Sequence, residues 1–162
     1  MAFDAFLKIE GIKGESFDSA HKGEIDILSF SWGVTNTGSF ATGSGGGTGK
    51  ASFQDLHFTH KVDKASPLLM LACAQGKHIP TATLTVRKQG GKVPLEYLKV
   101  TMEDVLVSSY QSGGARSGTP AGEFSLNFAK VEYSVAPISR DGSTMGTPVL
   151  VELVNDEHPA AG

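Results

Sequence analysis

The 162-residue sequence has one cysteine, little imbalance of charge and no long hydrophobic run. The lone Cys73 excludes an intrachain disulfide and a cysteine-based zinc site. The 14 basic and 17 acidic residues give a net charge of −3. Binding to duplex DNA or to an anionic membrane is favoured by clustered positive charge, so we expect neither as the main partner. No apolar run approaches the roughly 20 residues of a membrane-spanning helix. The first residues lack the features of a secretory signal, so we expect a cytoplasmic chain or one exported without a cleavable signal.

Glycine is in excess, with 20 of 162 residues, or about 12% against a usual share of roughly 7%. Much of it lies in two polar loops, at 38–49 and 112–122. A loop as long as the first one is usually functional or disordered. It does not match a phosphate-binding P-loop, because Ser44 stands where that motif requires glycine and Ala51 where it requires serine or threonine. We therefore predict no nucleotide site.

Apolar residues alternate with a period of two, which predicts strands at 3–9, 24–34, 53–62, 82–88, 95–107, 124–135 and 148–154. In three of them the apolar phase slips once: between Ile27 and Leu28, between Met102 and Val105, and between Phe128 and Val131. A one-residue slip moves every later side chain to the opposite face. Long strands with one slip each indicate strands that bend around a corner, as a small closed or nearly closed β-barrel requires.

The segment 66–76 predicts one short helix. Ser66 suits the N-cap, Pro67 the first helical position and Gly76 the left-handed residue after the end. The segment is apolar on nearly every side, so we expect the helix to be buried. Cys73 lies inside it without a basic neighbour in sequence, and we interpret it as a packed, unreactive thiol.

No catalytic or metal-binding motif is evident. Asp55 and His57 would share one strand face, but two ligands do not complete a metal site, and His60 would point the other way. The adjacent carboxylates Glu103 and Asp104 would face opposite sides of a strand and could not act side by side on one substrate. We therefore predict a non-enzyme with no metal, no cofactor and no catalytic residue.

One set of small, neutral side chains stands out on the predicted strands. Opposite the large apolar residues, one strand shows Ser29, Ser31 and then Gly33, and another shows Thr83 and Thr85. Ordinary solvent-facing strand chemistry accounts for such residues, since threonine is favoured in strands. The alternative is a lumen or a subunit interface, where bulk and charge are unwelcome. The residues alone leave both open.

Several motifs, in register from residue 1 to about 136, resemble one known family. They are Phe6-Leu7-Lys8-Ile9, Glu24-Ile25-Asp26-Ile27-Leu28, Ser31-Trp32-Gly33, Gly45-Gly46-Gly47-Thr48-Gly49-Lys50, Asp63-Lys64-Ala65-Ser66-Pro67-Leu68-Leu69-Met70 and Leu126-Asn127-Phe128-Ala129-Lys130-Val131. The chain is similar to Hcp, the haemolysin-coregulated protein family of type VI secretion systems in Gram-negative bacteria. The match is looser from Ile138 onward.

The resemblance implies a single domain over 1–162. Its fold would be a mainly β, small β-barrel of two antiparallel sheets with one short α-helix packed at its side. The Gly-rich loop at 38–49 would be extended, and a loosely matched tail would begin at about 155. The family's subunits form homohexameric rings that stack into a hollow tube, which lies inside a contractile sheath, is built on a baseplate and carries a trimeric spike. The lumen carries and chaperones small effectors, and the protein is secreted through the apparatus itself.

The resemblance also implies roles for particular residues. We expect Ser31, and more weakly Ser29, to face the ring lumen and contact effectors. We expect the long loop to contact a neighbouring subunit or ring through Gly43, Gly45, Gly46, Gly47 and Gly49. A free-standing carbohydrate- or peptide-binding β-barrel is the alternative, but it would expose aromatic platforms and the chain has one tryptophan. An enzyme fused to an Hcp-like core is a further alternative, but we expect no catalytic extension, because the core takes up the sequence.

Overall fold

The computed structural model of the chain describes residues 3–37, 50–88 and 93–160. The elements in order are β1 (Phe3–Ile9), β2 (Ile25–Ile27), β3 (Ser29–Asn36), β4 (Ala51–Lys61), α1 (Ser66–Gln75), β5 (His78–Lys88), β6 (Leu95–Gly113), β7 (Ala121–Val135) and β8 (Val149–Val154). The strands form one antiparallel sheet in the order β2-β1-β5-β6-β7-β4-β3, and β8 pairs with β7 beyond the end of β4. The sheet curls into a half-barrel, which confirms the mainly β class. The predicted short helix is also confirmed, and α1 is the one helix in the part of the chain that the structure describes. In the described ranges, no helix is long and apolar enough to cross a membrane.

A crease runs across β5, β6 and β7 at one level of the sheet. Elsewhere in these strands the buried apolar side chains are two residues apart, but here they are three apart, at Ile79 and Ala82, at Met102 and Val105, and at Phe128 and Val131. The strand register places these pairs beside one another. Asp104 lies in the crease with a φ of 51°. The predicted phase slips in β6 and β7 are thus confirmed, and the buried face changes sides in all three strands together.

The third predicted slip falls where the sheet closes. Ile27 ends β2, which pairs with β1, and Ser29 begins β3, which pairs with β4. Between them the Leu28 amide donates to the Thr59 carbonyl at 2.8 Å. One stretch of chain therefore joins the two ends of the curled sheet, which is what a phase change allows.

The helix α1 packs on β6 with only one face. Its buried residues are Ser66, Leu69 and Ala72. The prediction that the helix is buried was wrong for its outer side, where Leu68, Met70 and Leu71 are exposed. Apolar composition shows that a helix needs a partner but not which element supplies it.

The helix begins one residue earlier than the cap prediction required. Ala65, not Ser66, occupies the N-cap, without a side-chain hydrogen bond. The preceding turn is held instead by Asp63, whose carboxylate accepts from the Ala65 amide at 2.9 Å. The Ser66 hydroxyl accepts from the Asp63 amide at 3.0 Å. Gly76 ends the helix as predicted, at a φ of 61°.

The two glycine-rich loops differ in outcome. The predicted polar loop at 112–122 is shorter than expected, because β6 extends to Gly113 and β7 begins at Ala121. The loop at 38–49, with the predicted contact residues Gly43, Gly45, Gly46, Gly47 and Gly49, lies outside the described residues.

Candidate functional site

Ser29 and Ser31 belong to a polar face that crosses four strands. The register sets Ser31 beside His57, then Ser125, then Ser109, and it sets Ser29 beside Thr59, then Glu123, then Gln111. We call these eight residues the polar face. The predicted pair is therefore one corner of a surface to which β3, β4, β7 and β6 all contribute.

The polar face results from the strand alternation. On β4, His57 and Thr59 point outward and alternate with the buried Leu56 and Phe58. On β7, Glu123 alternates in the same way with the buried Phe124, and the Phe58 and Phe124 rings stack at 5.1 Å. Aromatic packing on the inner side thus fixes the strands that display small polar groups on the outer side.

A bulge concentrates serines on this face. The register of β6 and β7 shifts between Val107 and Ser109, which turns both Ser108 and Ser109 to the same side. Their hydroxyls lie 2.7 and 2.5 Å from that of Ser125, which is only 3% exposed. The Ser108 hydroxyl also donates to the Asp55 carboxylate, so this part of the face has only short side chains and one carboxylate at its border.

The second row is also internally paired. The Ser29 and Thr59 hydroxyls hydrogen-bond at 2.6 Å, and the Gln111 amide donates to the Glu123 carboxylate at 3.0 Å. An open groove of about 390 Å³ lies over these residues. Glu123 is the one carboxylate among the eight residues, so the surface carries little charge and offers hydroxyl and amide groups to a partner.

His60 lies behind the polar face, on the opposite side of β4 from His57, as predicted. It is fully buried, and burial lowers its pKa, with Asp63 opposing the shift only in part. The Tyr110 hydroxyl is 3.4 Å from its Nε2. A neutral imidazole therefore supports the polar face from within the core.

The other predicted small-hydroxyl pair does not belong to this face. Thr85 is only 3% exposed and lies beside Phe6 in the register of β1 and β5. The His21 ring stacks on Phe6 at 4.5 Å, and the Arg87 guanidinium lies 4.8 Å from the same ring. The chain between β1 and β2 thus covers this side, so Thr85 belongs to no open surface of the described chain.

His21 anchors that covering segment. Its ring nitrogens lie 3.0 Å from the Glu24 carboxylate and 2.5 Å from that of Glu96. Burial works against the charged imidazole, but hydrogen bonds to Glu96 and Glu24 outweigh it and raise the pKa of His21. Next to it, Arg87 pairs with Asp4 at 3.1 Å and with Asp18.

The structure brings together one group that sequence reasoning missed. His78, Asp104 and His158 each offer a ligand atom, and these atoms all lie within 4.8 Å of one another. The residues are far apart in sequence, so no local spacing could have indicated the group. Asp55, for which we predicted no role as a metal ligand, accepts hydrogen bonds from Ser108 and Asn127.

Comparisons with known proteins agree along most of the chain. The family model described as "Type VI secretion system effector, Hcp" matches residues 6–135. Protein hcp1 of Pseudomonas aeruginosa is 49% identical over 150 residues, which is 92% of this chain and 93% of that protein. The crystal structure of Hcp1 from Salmonella typhimurium superimposes with a TM-score of 0.78 at 38% identity, covering 95% of each chain. A type VI secretion system effector from Yersinia pestis gives a TM-score of 0.75 at 32% identity, covering 94% of this chain and all of that one.

Proposed function

The chain belongs to the Hcp family of type VI secretion proteins, and we propose that it is the structural subunit of that system's inner tube. In this proposal it forms homohexameric rings that stack into a hollow tube, and the tube is propelled with a trimeric spike into target cells. Its partners are further copies of itself, the spike, the sheath and baseplate proteins, and small effectors carried in the lumen. It is assembled in the cytoplasm and then secreted through the apparatus. The observation that carries the proposal is the family match over 130 residues, 6–135.

The polar face supports a lumenal role for Ser31 and, more weakly, Ser29. A channel that holds different small proteins and later releases them needs a surface without bulky or strongly charged groups, because such groups would bind one cargo tightly and exclude others. The polar face has this character, with hydroxyls paired to one another and one carboxylate among eight residues. We therefore assign effector contact to this face.

The strand β8 supports contact between subunits. Four of its six residues are exposed apolar side chains, namely Val149, Leu150, Val151 and Val154. Within the described part of the chain, β8 pairs only with β7, so its outer edge presents unpaired backbone groups. Closed rings need a heterologous interface, in which two different patches meet around the circle. An apolar edge strand can supply one of the two patches.

The oligomeric state tests the ring. Six chains of 17.0 kDa predict a particle of about 102 kDa by light scattering, and negative-stain images should show rings with an open centre. A monomer at micromolar concentration would contradict the proposal. That result would favour the alternative, a free-standing β-barrel that binds a ligand in the groove.

Effector contact is tested on assembled rings. Ser31→Gln adds bulk to the polar face and should reduce co-purification of effectors while leaving rings intact. Ser19→Gln places the same change at an exposed serine between β1 and β2, and it is the matched control. Unchanged co-purification with Ser31→Gln in intact rings would contradict the lumenal assignment.

The Gly-rich loop is tested separately. We propose that Gly43, Gly45, Gly46, Gly47 and Gly49 contact the adjacent subunit or the next ring. Deleting residues 43–49 should then leave a folded domain, with normal unfolding of the core, but poor ring assembly and poor secretion. Normal rings together with normal secretion would refute this role.

A further inference from the structure

A group of three potential metal ligands lies on the crease. His78 begins β5, Asp104 lies in β6, and His158 follows the end of β8. The His78 Nδ1 is 2.6 Å from one Asp104 carboxylate oxygen, and the His158 Nε2 is 3.2 Å from the other. One strand register and one C-terminal turn therefore bring together two imidazoles and a carboxylate.

We propose that His78, Asp104 and His158 bind a divalent cation of the zinc type, with two histidine nitrogens and one carboxylate oxygen as ligands. Zinc accepts this donor set, at about 2.0–2.2 Å from each ligand. Such bonds in a tetrahedron set the ligand atoms roughly 3.4 Å apart. The three ligand atoms already lie within 4.8 Å of one another, so binding requires only small side-chain movements.

The strongest support comes from the tautomer of His158. The Asn127 amide nitrogen donates to the Asp55 carboxylate at 2.6 Å, which leaves its carbonyl oxygen to face His158. The His158 Nδ1 must then carry a hydrogen and donate it to that oxygen. In the neutral ring, Nε2 consequently presents a lone pair towards Asp104.

The His158 Nε2 has no hydrogen-bond partner among the described residues, and the His158 side chain is only 2% exposed. Its neighbour at 3.2 Å is a carboxylate oxygen of Asp104, which also offers only lone pairs when ionised. Two acceptors that face each other at this distance repel, and a cation between them removes the repulsion. The Asp55–Asn127–His158 chain is the kind of outer support that orients metal-binding histidines.

The backbone also holds the site in shape. Asp104 has a left-handed φ of 51°, which costs free energy for a residue other than glycine and is often found at functional sites. Asn155 is buried, and its amide donates to the Phe128 carbonyl at 3.0 Å while its side-chain oxygen accepts from the Glu157 amide. This turn fixes the place from which His158 reaches the crease.

A bound cation would tie the C-terminal turn to β5 and β6. Asp104 and His78 keep 36% and 22% of their side chains exposed, so a fourth position remains open to solvent. Water would complete the tetrahedron there. The site would thus hold its cation through three protein ligands and keep a single exchangeable position, and it is independent of the tube proposal.

The test is zinc binding by the full-length chain, with any purification tag removed. Zinc chloride in competition with a chromophoric chelator should titrate to one ion per chain. Asp104→Asn and His158→Gln should each weaken binding at least tenfold, and Asn127→Ala should weaken it roughly 10–100-fold through loss of outer support. Asparagine tolerates the left-handed region, so Asp104→Asn should keep the backbone of β6.

The control is His57→Gln, which removes an exposed histidine from the polar face and should leave zinc affinity unchanged. Cobalt(II) offers a second measurement, since a tetrahedral site should give visible absorption bands that Asp104→Asn abolishes. Equal zinc affinity in Asp104→Asn and His57→Gln would overturn the proposal. So would substoichiometric binding to the unaltered chain, which would mean that a proton on His158, paired with Asp104, fills the gap instead.

Discussion

Gly122→Ala should destabilise the fold, although it adds only one methyl group. A Cβ at this position of β7 would stand 2.7 Å from the His60 Nε2 and 2.7 Å from the Tyr110 hydroxyl oxygen. Real Cβ atoms essentially never approach other atoms this closely. His60 cannot withdraw easily, because it is fully buried and its ring meets that of Phe124 edge-on at 5.2 Å.

The expected loss is that of an overpacked core, about 1–3 kcal/mol. For a chain of this length, 1 kcal/mol corresponds to roughly 2–4 °C in melting temperature, so Gly122→Ala should melt about 2–12 °C lower. Gly113→Ala is the matched control on the neighbouring strand β6, since its Cβ would meet nothing within 4 Å. Alanine there should be neutral or stabilising by about 0.5–1 kcal/mol, because glycine is unfavourable in strands.

Urea unfolding followed by the fluorescence of the single tryptophan, Trp32, measures both variants. Chain concentration must be fixed, because subunit association would add to the apparent stability. The double variant with Tyr110→Phe removes one of the two clashing atoms, so it should recover part of the loss caused by Gly122→Ala. Equal unfolding midpoints for Gly122→Ala and Gly113→Ala would refute the reasoning.

Three further predictions concern the core and the pH dependence of stability. Gly14→Ala should cost about 3 kcal/mol or more, since its Cβ would lie 2.6 Å from the Glu24 carbonyl oxygen and a backbone cannot rotate away; a normal melting temperature would contradict this. Because the pKa of His21 is raised in the folded state, its stabilising effect is full below its unfolded pKa of about 6.5 and is lost as pH rises through the folded value. The difference in urea midpoint between the unaltered chain and His21→Gln should therefore be full below about pH 6.5 and shrink as the pH rises above it, and a constant difference would count against it. Phe128→Ala should lower the free energy of unfolding by roughly 3–5 kcal/mol. It should also shift the fluorescence emission of Trp32, because the two ring centroids lie 6.3 Å apart. Unshifted emission would show that this contact does not set the environment of the indole.

The sequence predicted the bends in the sheet because strand alternation is strict. A buried strand residue that is three positions from the next one, such as Val105 from Met102, can only mean that the face has changed. That inference needs no knowledge of the neighbouring strands. The break after Ile27 was predictable for the same reason.

What covers each face could not be predicted in this way. Thr85 shows the same alternation as Ser31, yet only Ser31 is exposed, because a loop with no regular structure lies over the other face. The exposed side of α1 could not be predicted either, because nothing in the apolar run indicates which residues meet β6. The group of His78, Asp104 and His158 depends on strand register and on a distant turn, and neither leaves a local signal.

Because the buried face changes at the same level in β5, β6 and β7, the residue spacing of each strand must match that of its neighbours. Removing one residue from one of these strands would invert its faces on one side of the crease and turn a buried residue such as Val100 outward. Its two neighbours would have to lose a residue at the same level to restore the match. Changes in chain length are therefore tolerated best at hairpin ends such as 114–120, and an inserted peptide tag belongs there rather than within the three strands.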